Sequence, residues 1–301
     1  MDIKALRGSL LLLLASAIWG AAFAAQRVGM DHIGPFAFTG IRMLLAGLVM
    51  IPVSLHAGKK QKTRYSARKQ IKGGIFCGLF LFAATCLQQV GIISTDAGKA
   101  GFVTALYVVL VPLAGWLILG KNPGRVILAG VALALVALYL LCVPVSGFRM
   151  EAGDLLLLGC AVCFTGQILC VDRFAPHVSG TALARDEFLV TGGLSMLIAL
   201  FTEEISFGAV LEAAVPILYT GLFSSAVAYT LQIIGQRDTD PTLASLIMCL
   251  ESVFALLSGA VLLGERMNGR EIAGCALMFA AVIVSQLSPV IQRRRARKNA
   301  S

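Results

Sequence analysis

Glu251 stands in the run MCLESVFALL, a carboxyl among side chains that suit hydrocarbon. A charge at the centre of a bilayer costs roughly 3 kcal/mol or more, so something must offset it. Two chemistries are open. In the first, a desolvated carboxyl exchanges a proton for substrate or binds a substrate amine. In the second, it is a neutral or paired group that ties two helices together.

Other polar residues share its helical spacing. Ser245, Met248, Glu251, Ser252, Ala255 and Ser258 form one stripe, and Ala100, Gly101, Thr104, Tyr107 and Val108 a second. Thr85 with Gln88, and Ser225, Tyr229, Gln232 and Gln236, mark two more faces. Polar groups in hydrocarbon are expensive unless paired or wet, so these faces are expected to converge on a cavity of mixed lining. Its expected members are Glu251, Tyr107, Gln88, Gln232, Thr104, Tyr229, Ser245 and Trp19, the last either closing the cavity or packing between helices. Arg42 and Arg185 are candidate gate or coupling residues that pair with carboxylates, Glu251 included, as one side closes. Alternatively Arg42 snorkels to headgroups, and Arg185 joins an ion cluster with Asp186 and Glu187.

Other chemistries lack their parts. The eight cysteines fall within apolar runs, where Cys behaves as a small apolar residue, and His32, His56 and His177 have no second ligand at metal spacing. No metal or cofactor is indicated. An intramembrane enzyme would need a nucleophile–base pair or a metal constellation. Cys160-x-x-Cys163 could serve a thiol oxidase but has no basic neighbour. A channel would need a filter or a ring of charges.

The elements that hold these residues are membrane helices. The chain is 58% hydrophobic and 14% charged, against about 45–50% and about 25% in soluble chains. Continuous runs such as LLLLLASAIWGAAFAA exclude an outer-membrane barrel, whose strands alternate. Spans of about 20 residues are needed to cross the hydrocarbon core. Ten are read: 9–27, 34–56, 73–93, 98–120, 126–144, 154–172, 180–201, 212–234, 241–263 and 271–289. The first also resembles a cleavable signal peptide, but it has an internal counterpart that cannot be one.

The net charge of +9 reflects topology rather than nucleic acid. With both termini cytoplasmic, the inner segments hold Lys4, Arg7, KKQKTRYSARKQIK, Lys121, Arg125, Arg173, Arg237 and the tail RRRARK. The outer ones hold only Arg27, Arg149, Arg266 and Arg270 among acids. Lys and Arg collect inside.

The chain also aligns with itself. At an offset of 144, LQQVGIISTDAGKAG from Leu87 falls on LQIIGQRDTDPTLAS from Leu231 without a gap. Gln88/Gln232, Gly91/Gly235, Thr95/Thr239, Asp96/Asp240 and Gly130/Gly274 coincide, and the same offset lays Leu11 on Leu155 and Tyr107 on Glu251. Near the second helix a one-residue shift brings Arg42 onto Arg185. The expected units are 1–145 and 150–290, with a basic cytoplasmic tail at 291–301. Five helices per unit, an odd number, invert the second copy. Such inverted repeats serve alternating access around a midplane site.

ASAIWGAAF in the first helix, IRMLLAG in the second, Pro112 followed by LILGK, Gly130, VLLGE and Gly274 resemble the EamA-type transporters of the drug/metabolite transporter superfamily. The resemblance covers nearly the whole chain as two tandem units. It implies an all-α membrane protein of ten helices that moves small organic metabolites, commonly by export and often with protons. Lys121 departs from the family's usual Glu. Leu256 stands where the first half has Pro112, so the halves are expected to bend differently.

The sequence therefore leads to a secondary-active transporter, not an enzyme, in the cell membrane. One midplane carboxyl with tyrosines and glutamines suits amino acids or other amine-bearing metabolites. Expected partners are that small molecule, the lipid bilayer and protons as a candidate coupling ion, with no nucleic acid. No residue pattern specifies an oligomeric state.

Overall fold

The computed structural model describes residues 3–60, 65–95, 97–120, 122–143, 152–262 and 267–286. The basic tail at 291–301, Asp96, Lys121, Arg149 and Arg266 lie outside the described residues, as do the side chains of Arg27 and Lys99. Among the described residues there are helices and no strands. In chain order they are α1 (Ile3–Met30), α2 (Pro35–Lys60), α3 (Ala67–Ile93), α4 (Ala97–Ala105), α5 (Tyr107–Leu119), α6 (Arg125–Cys142), α7 (Ala152–Phe174) and α8 (Gly180–Thr202). There follow α9 (Phe207–Glu212), α10 (Ala214–Tyr219), a π-helix (Thr220–Tyr229), α11 (Thr230–Gln236), α12 (Pro241–Met248), α13 (Glu251–Leu262) and α14 (Gly269–Gln286).

Among the described residues nine spans are long and apolar enough to cross a membrane, four of them assembled from consecutive segments: Ala100–Ile118, Ala152–His177, Ala214–Gln236 and Pro241–Ser258. The expected span at 180–201 is α8, 23 residues long. It falls short of the apolar criterion because Arg185, Asp186 and Glu187 lie in its first third. The outer surface is oily: Phe201, Val215, Ile118 and Val261 are all at least 75% exposed. That is a liability in water and a match for lipid.

Close packing at glycines reveals how the halves meet. Gly40 of α2 abuts Met196 of α8, Gly192 abuts Leu44, and Gly47 abuts Leu189. As one number rises the other falls, so these helices run antiparallel. The pair α6 and α14 repeats the device. Gly130 lies against Ala281 and Ser285, while Gly274 lies against Ala137 and Leu141. Each contact maps onto the other at the offset of 144, as an isologous two-fold interface requires. Repeat mates that run antiparallel make the two units inverted. Small residues at such crossings let backbones approach, which is how membrane helices associate without a hydrophobic drive between them.

The outer pairs refine the alignment. Gly8 of α1 lies against Thr239 and the Gly235 carbonyl, and Gly153 of α7 against Thr95 and the Gly91 carbonyl. Thr95/Thr239 and Gly91/Gly235 keep the offset of 144, but Gly8/Gly153 needs 145. The first helix of each unit is thus equivalent with a one-residue shift from the ungapped alignment, which makes Trp19 the counterpart of Phe164.

Both central helices break at the same place. Leu106 separates α4 from α5, and Cys249 and Leu250 separate α12 from α13. The Leu106 amide bonds to Val103 O and that of Leu250 to Ile247 O, each tightened to an i−3 bond. Pro112 lies six residues beyond the first break and Leu256 six beyond the second, so the break does not depend on the proline.

Candidate functional site

The two broken helices touch at the pseudo-two-fold axis. Tyr107 donates its hydroxyl to Glu251 Oε1 at 3.5 Å, and Cys249 Sγ approaches Ala105 O at 3.8 Å. Both pairs are residues facing their own repeat mates, which happens only where an axis passes between them. The helix breaks lie here, so α5 begins at Tyr107 and α13 at Glu251.

A cavity opens beside this crossing. Tyr107, Glu251, Thr104 and Met248 line it from the broken helices. Gln88 enters from α3, Trp19 and Gln26 from α1, and Arg42 from α2. Phe164, Gln167 and Ile168 of α7 face Ser224, Tyr229 and Gln232 of the eighth expected span. Seven of the eight residues expected in the cavity therefore meet there. Ser245 does not: its hydroxyl turns back to donate to Thr242 O of its own helix at 2.8 Å. Thr85 does likewise, to Leu81 O.

The aromatic walls are held by specific contacts. Trp19 donates its indole N–H to the Ser224 carbonyl at 3.0 Å and meets the Tyr229 ring edge-on at 4.8 Å. Its counterpart Phe164 meets Tyr107 edge-on at 6.4 Å. Trp19 thus both lines the cavity and packs between helices. Gly20 beside it is obligatory, since a Cβ there would lie 2.6 Å from Glu251 O and from Phe254 Cβ.

The π-helix explains a miss. At α spacing Ser225 falls beneath Tyr229, but a π-helix closes i to i+5 and brings Ser224 there instead. Ser224 lines the cavity and Ser225 is buried elsewhere. Such π segments recur at functional sites in helical proteins.

The two cavity charges are uncompensated. Glu251 is 8% exposed and its hydrogen-bond partner among the described residues is Tyr107 alone. Arg42 is 2% exposed and makes no ion pair among the described residues; its Nε has no partner, and its guanidinium lies 5.6 Å from the centre of the Phe38 ring. The two do not pair with each other. Arg42 therefore does not snorkel; it faces the cavity.

Arg185 lies apart from this lining. Its guanidinium grips Asp186 at 2.6 Å and reaches Ser54 Oγ at 3.2 Å, while Gln70 of α3 donates to the other Asp186 oxygen at 3.1 Å. This is the local cluster, but without Glu187. That carboxyl is fully buried and accepts from Gln167 at 2.8 Å. The RDE run hid it, because neighbours in sequence lie about 100° apart around a helix, so that Asp186 meets Gln70 of α3 and Glu187 meets Gln167 of α7. Gln26 and Gln167 were legible by the signal that marked Gln88: an amide inside an apolar run. Among the described residues no three His, Cys, Asp or Glu side chains come together as metal ligands, and the described cysteines are free thiols.

The EamA-like transporter family matches residues 6–143 and again residues 151–287. An uncharacterized transporter of Archaeoglobus fulgidus is 32% identical over 285 residues, covering 95% of this chain and 87% of the relative. The S-adenosylmethionine/S-adenosylhomocysteine transporter of Chlamydia muridarum is 24% identical over 89% of this chain and 90% of its own. A probable amino-acid metabolite efflux pump of Salmonella typhimurium is 23% identical over 91% and 93%. A crystal structure with 21% identity superimposes with a TM-score of 0.77 over 93% of this chain and 96% of the other, which is a likeness of fold.

Proposed function

Because the chain belongs to the EamA-like transporter family, we propose that it is a secondary-active transporter that exports amino acids or related amine-bearing metabolites by alternating access, coupled to protons. In this reading α8 is a tenth span, and residues 1–145 and 150–290 are the two inverted units. The basic tail at 291–301 and the N-terminus lie on the cytoplasmic side of the cell membrane.

One observation carries the substrate class. Arg42 and Glu251 are both buried in one cavity without a counter-ion. An unpaired buried charge is costly, and a molecule carrying an ammonium and a carboxylate would complete both. Glu251 takes the amine and Arg42 the carboxylate, as guanidinium groups do in fork geometry. Trp19, Phe164, Tyr107 and Tyr229 supply the apolar enclosure, and Gln88, Gln232 and Thr104 its directional polar groups. The names of the Chlamydia and Salmonella relatives point toward the same class. Arg185 is assigned to the fold rather than to a gate.

The test uses purified protein in liposomes loaded with a pH-sensitive dye. These are challenged with pools of amino acids, amines and sugars, wild type beside Glu251→Gln. Proton flux driven by one amine-bearing pool and absent from the variant is the expected result. Exchange of that pool surviving in Glu251→Gln at wild-type rate would remove Glu251 from the mechanism. A response to sugars alone would remove the substrate class.

A further inference from the structure

Behind the cavity wall lies a second buried carboxyl that this reading does not use. Glu187 of α8 accepts from Gln167 Nε2 at 2.8 Å, and Gln167 Oε1 accepts from Gln232 Nε2 at 3.0 Å. The same Gln232 amide donates to Gln236 at 2.9 Å. Gln167 and Gln232 line the cavity; Glu187 is fully buried behind them. The direction of the chain follows from chemistry. An ionised carboxylate only accepts, so Gln167 must turn its amino group to Glu187 and its carbonyl to Gln232, which must answer with its own amino group. Two acceptors are left over, one at each end. Glu187 Oε2 and Gln232 Oε1 are buried and have no partner.

We propose that Glu187 is a proton-carrying group and that the Gln167–Gln232 pair relays its protonation to the cavity by reversing. While Glu187 is ionised, Gln232 keeps a free carbonyl oxygen, an acceptor for a substrate ammonium. When a proton from water adds to the Glu187 carboxylate, the new O–H donates to Gln167 Oε1 as that amide turns over. Gln167 Nε2 then faces Gln232, which turns its carbonyl inward and presents its amino group instead, while Gln236 turns over with it, giving up its bond to Ile168 O so that its own Nε2 meets the Gln232 carbonyl. An ammonium has nothing to bind there. Proton uptake and amine release become one event, and loss of the proton restores the carbonyl. Only the carboxyl O–H bond forms and breaks. The proposal rests on the reading of the cavity as an amine site.

The surroundings of Glu187 leave it the responsive group. Cys77 from α3, Cys170 from α7 and Tyr229 from the π-helix are the titratable side chains near it. Its neighbours Arg185 and Asp186 are bound to each other. On α2, where Gly47 meets Leu189, Arg42 lies about two turns from the level of Glu187. Residues 230–236 of α11 include no charged group.

The test reads binding and protonation separately. In a Trp116→Phe background Trp19 is the single tryptophan, and its fluorescence reports binding of 2-phenylethylammonium across a pH series. Infrared difference spectra, bound minus free, report carboxylic acid carbonyls. In the parent protein, affinity is expected to rise at least tenfold from acid to neutral pH, and amine binding should bleach two acid bands, one from Glu251 in the cavity and one from Glu187 behind it. Glu187→Gln should remove one of the two bands and weaken the pH dependence, leaving the part that Glu251 contributes. In Gln232→Leu the Glu187 band should still titrate with pH but no longer respond to amine. Two amine-linked bands that both survive Glu187→Gln, or that both still respond in Gln232→Leu, overturn the relay while leaving the amine site standing. No fluorescence response to this or any other amine overturns the site and the relay with it.

Discussion

Arg42 offers the sharpest separation of stability from function. Replace it with Met, which conserves length and removes the charge. The guanidinium is 2% exposed, has no carboxylate partner and rests on one aromatic ring. Replacing even a paired buried ion with apolar groups is often stabilising by about 1–4 kcal/mol, and the lost cation–π contact is worth roughly 0.5–2 kcal/mol. By these two figures the net lies between about −1 and +3.5 kcal/mol, centred on a gain of roughly 1 kcal/mol. In thermal unfolding of detergent-solubilised protein this should appear as a melting temperature raised by several degrees. Binding should move the other way. A hydrogen bond to a charged group contributes about 1.5–3 kcal/mol, so phenylalanine should bind about 10- to 150-fold more weakly. 2-Phenylethylamine, which lacks the carboxylate, should bind much as before. The reasoning fails if Arg42→Met loses more than about 1 kcal/mol, the lower bound of those figures. It also fails if both ligands lose affinity equally, because the arginine would then be supporting the cavity rather than reading a carboxylate.

Three further outcomes follow from the packing. Gly20→Val drives a Cβ to 2.6 Å from Glu251 O and 2.7 Å from Ala255 N. It should destabilise by about 1–3 kcal/mol and shift Trp19 emission; an unchanged melt and spectrum would contradict the close approach of α1 and α13. Gly130→Val and Gly274→Val occupy mated contacts, so their losses of melting temperature should be similar, and a wide disparity would argue against two-fold packing. Arg185→Ala removes a partly exposed ion pair worth under about 1 kcal/mol and should leave exchange in proteoliposomes intact. A transport-dead but folded Arg185→Ala would return that residue to the pathway.

Much of the cavity was readable because polar residues in an apolar chain are few and their spacing is helical. Tyr107, Glu251, Gln88 and Gln232 could be placed from stripes and from the offset of 144 alone. Ser245 and Thr85 could not, since a hydroxyl can satisfy itself on its own helix, and sequence does not reveal when it has. Ser224 was displaced by a π-helix that no residue pattern announces. Glu187 was masked by its charged neighbours, whose ion pair looked like a complete account of the run. The shared break at Leu106 and Leu250 left no mark either, because leucine is neutral about interrupting a helix. The proline that drew notice sits six residues further on.

The contact between Tyr107 and Glu251 bears on ancestry. If a single five-helix protein once formed this architecture as an antiparallel pair of identical chains, any residue on the axis would have faced a copy of itself. A carboxylate there would have met a second carboxylate across a few ångströms, and like charges at that range cannot both ionise. A solitary acid at the symmetry axis is open only where the two copies differ in sequence, as Tyr107 and Glu251 do here. Two halves free to differ within one chain thus allow an asymmetric centre in an otherwise symmetric scaffold.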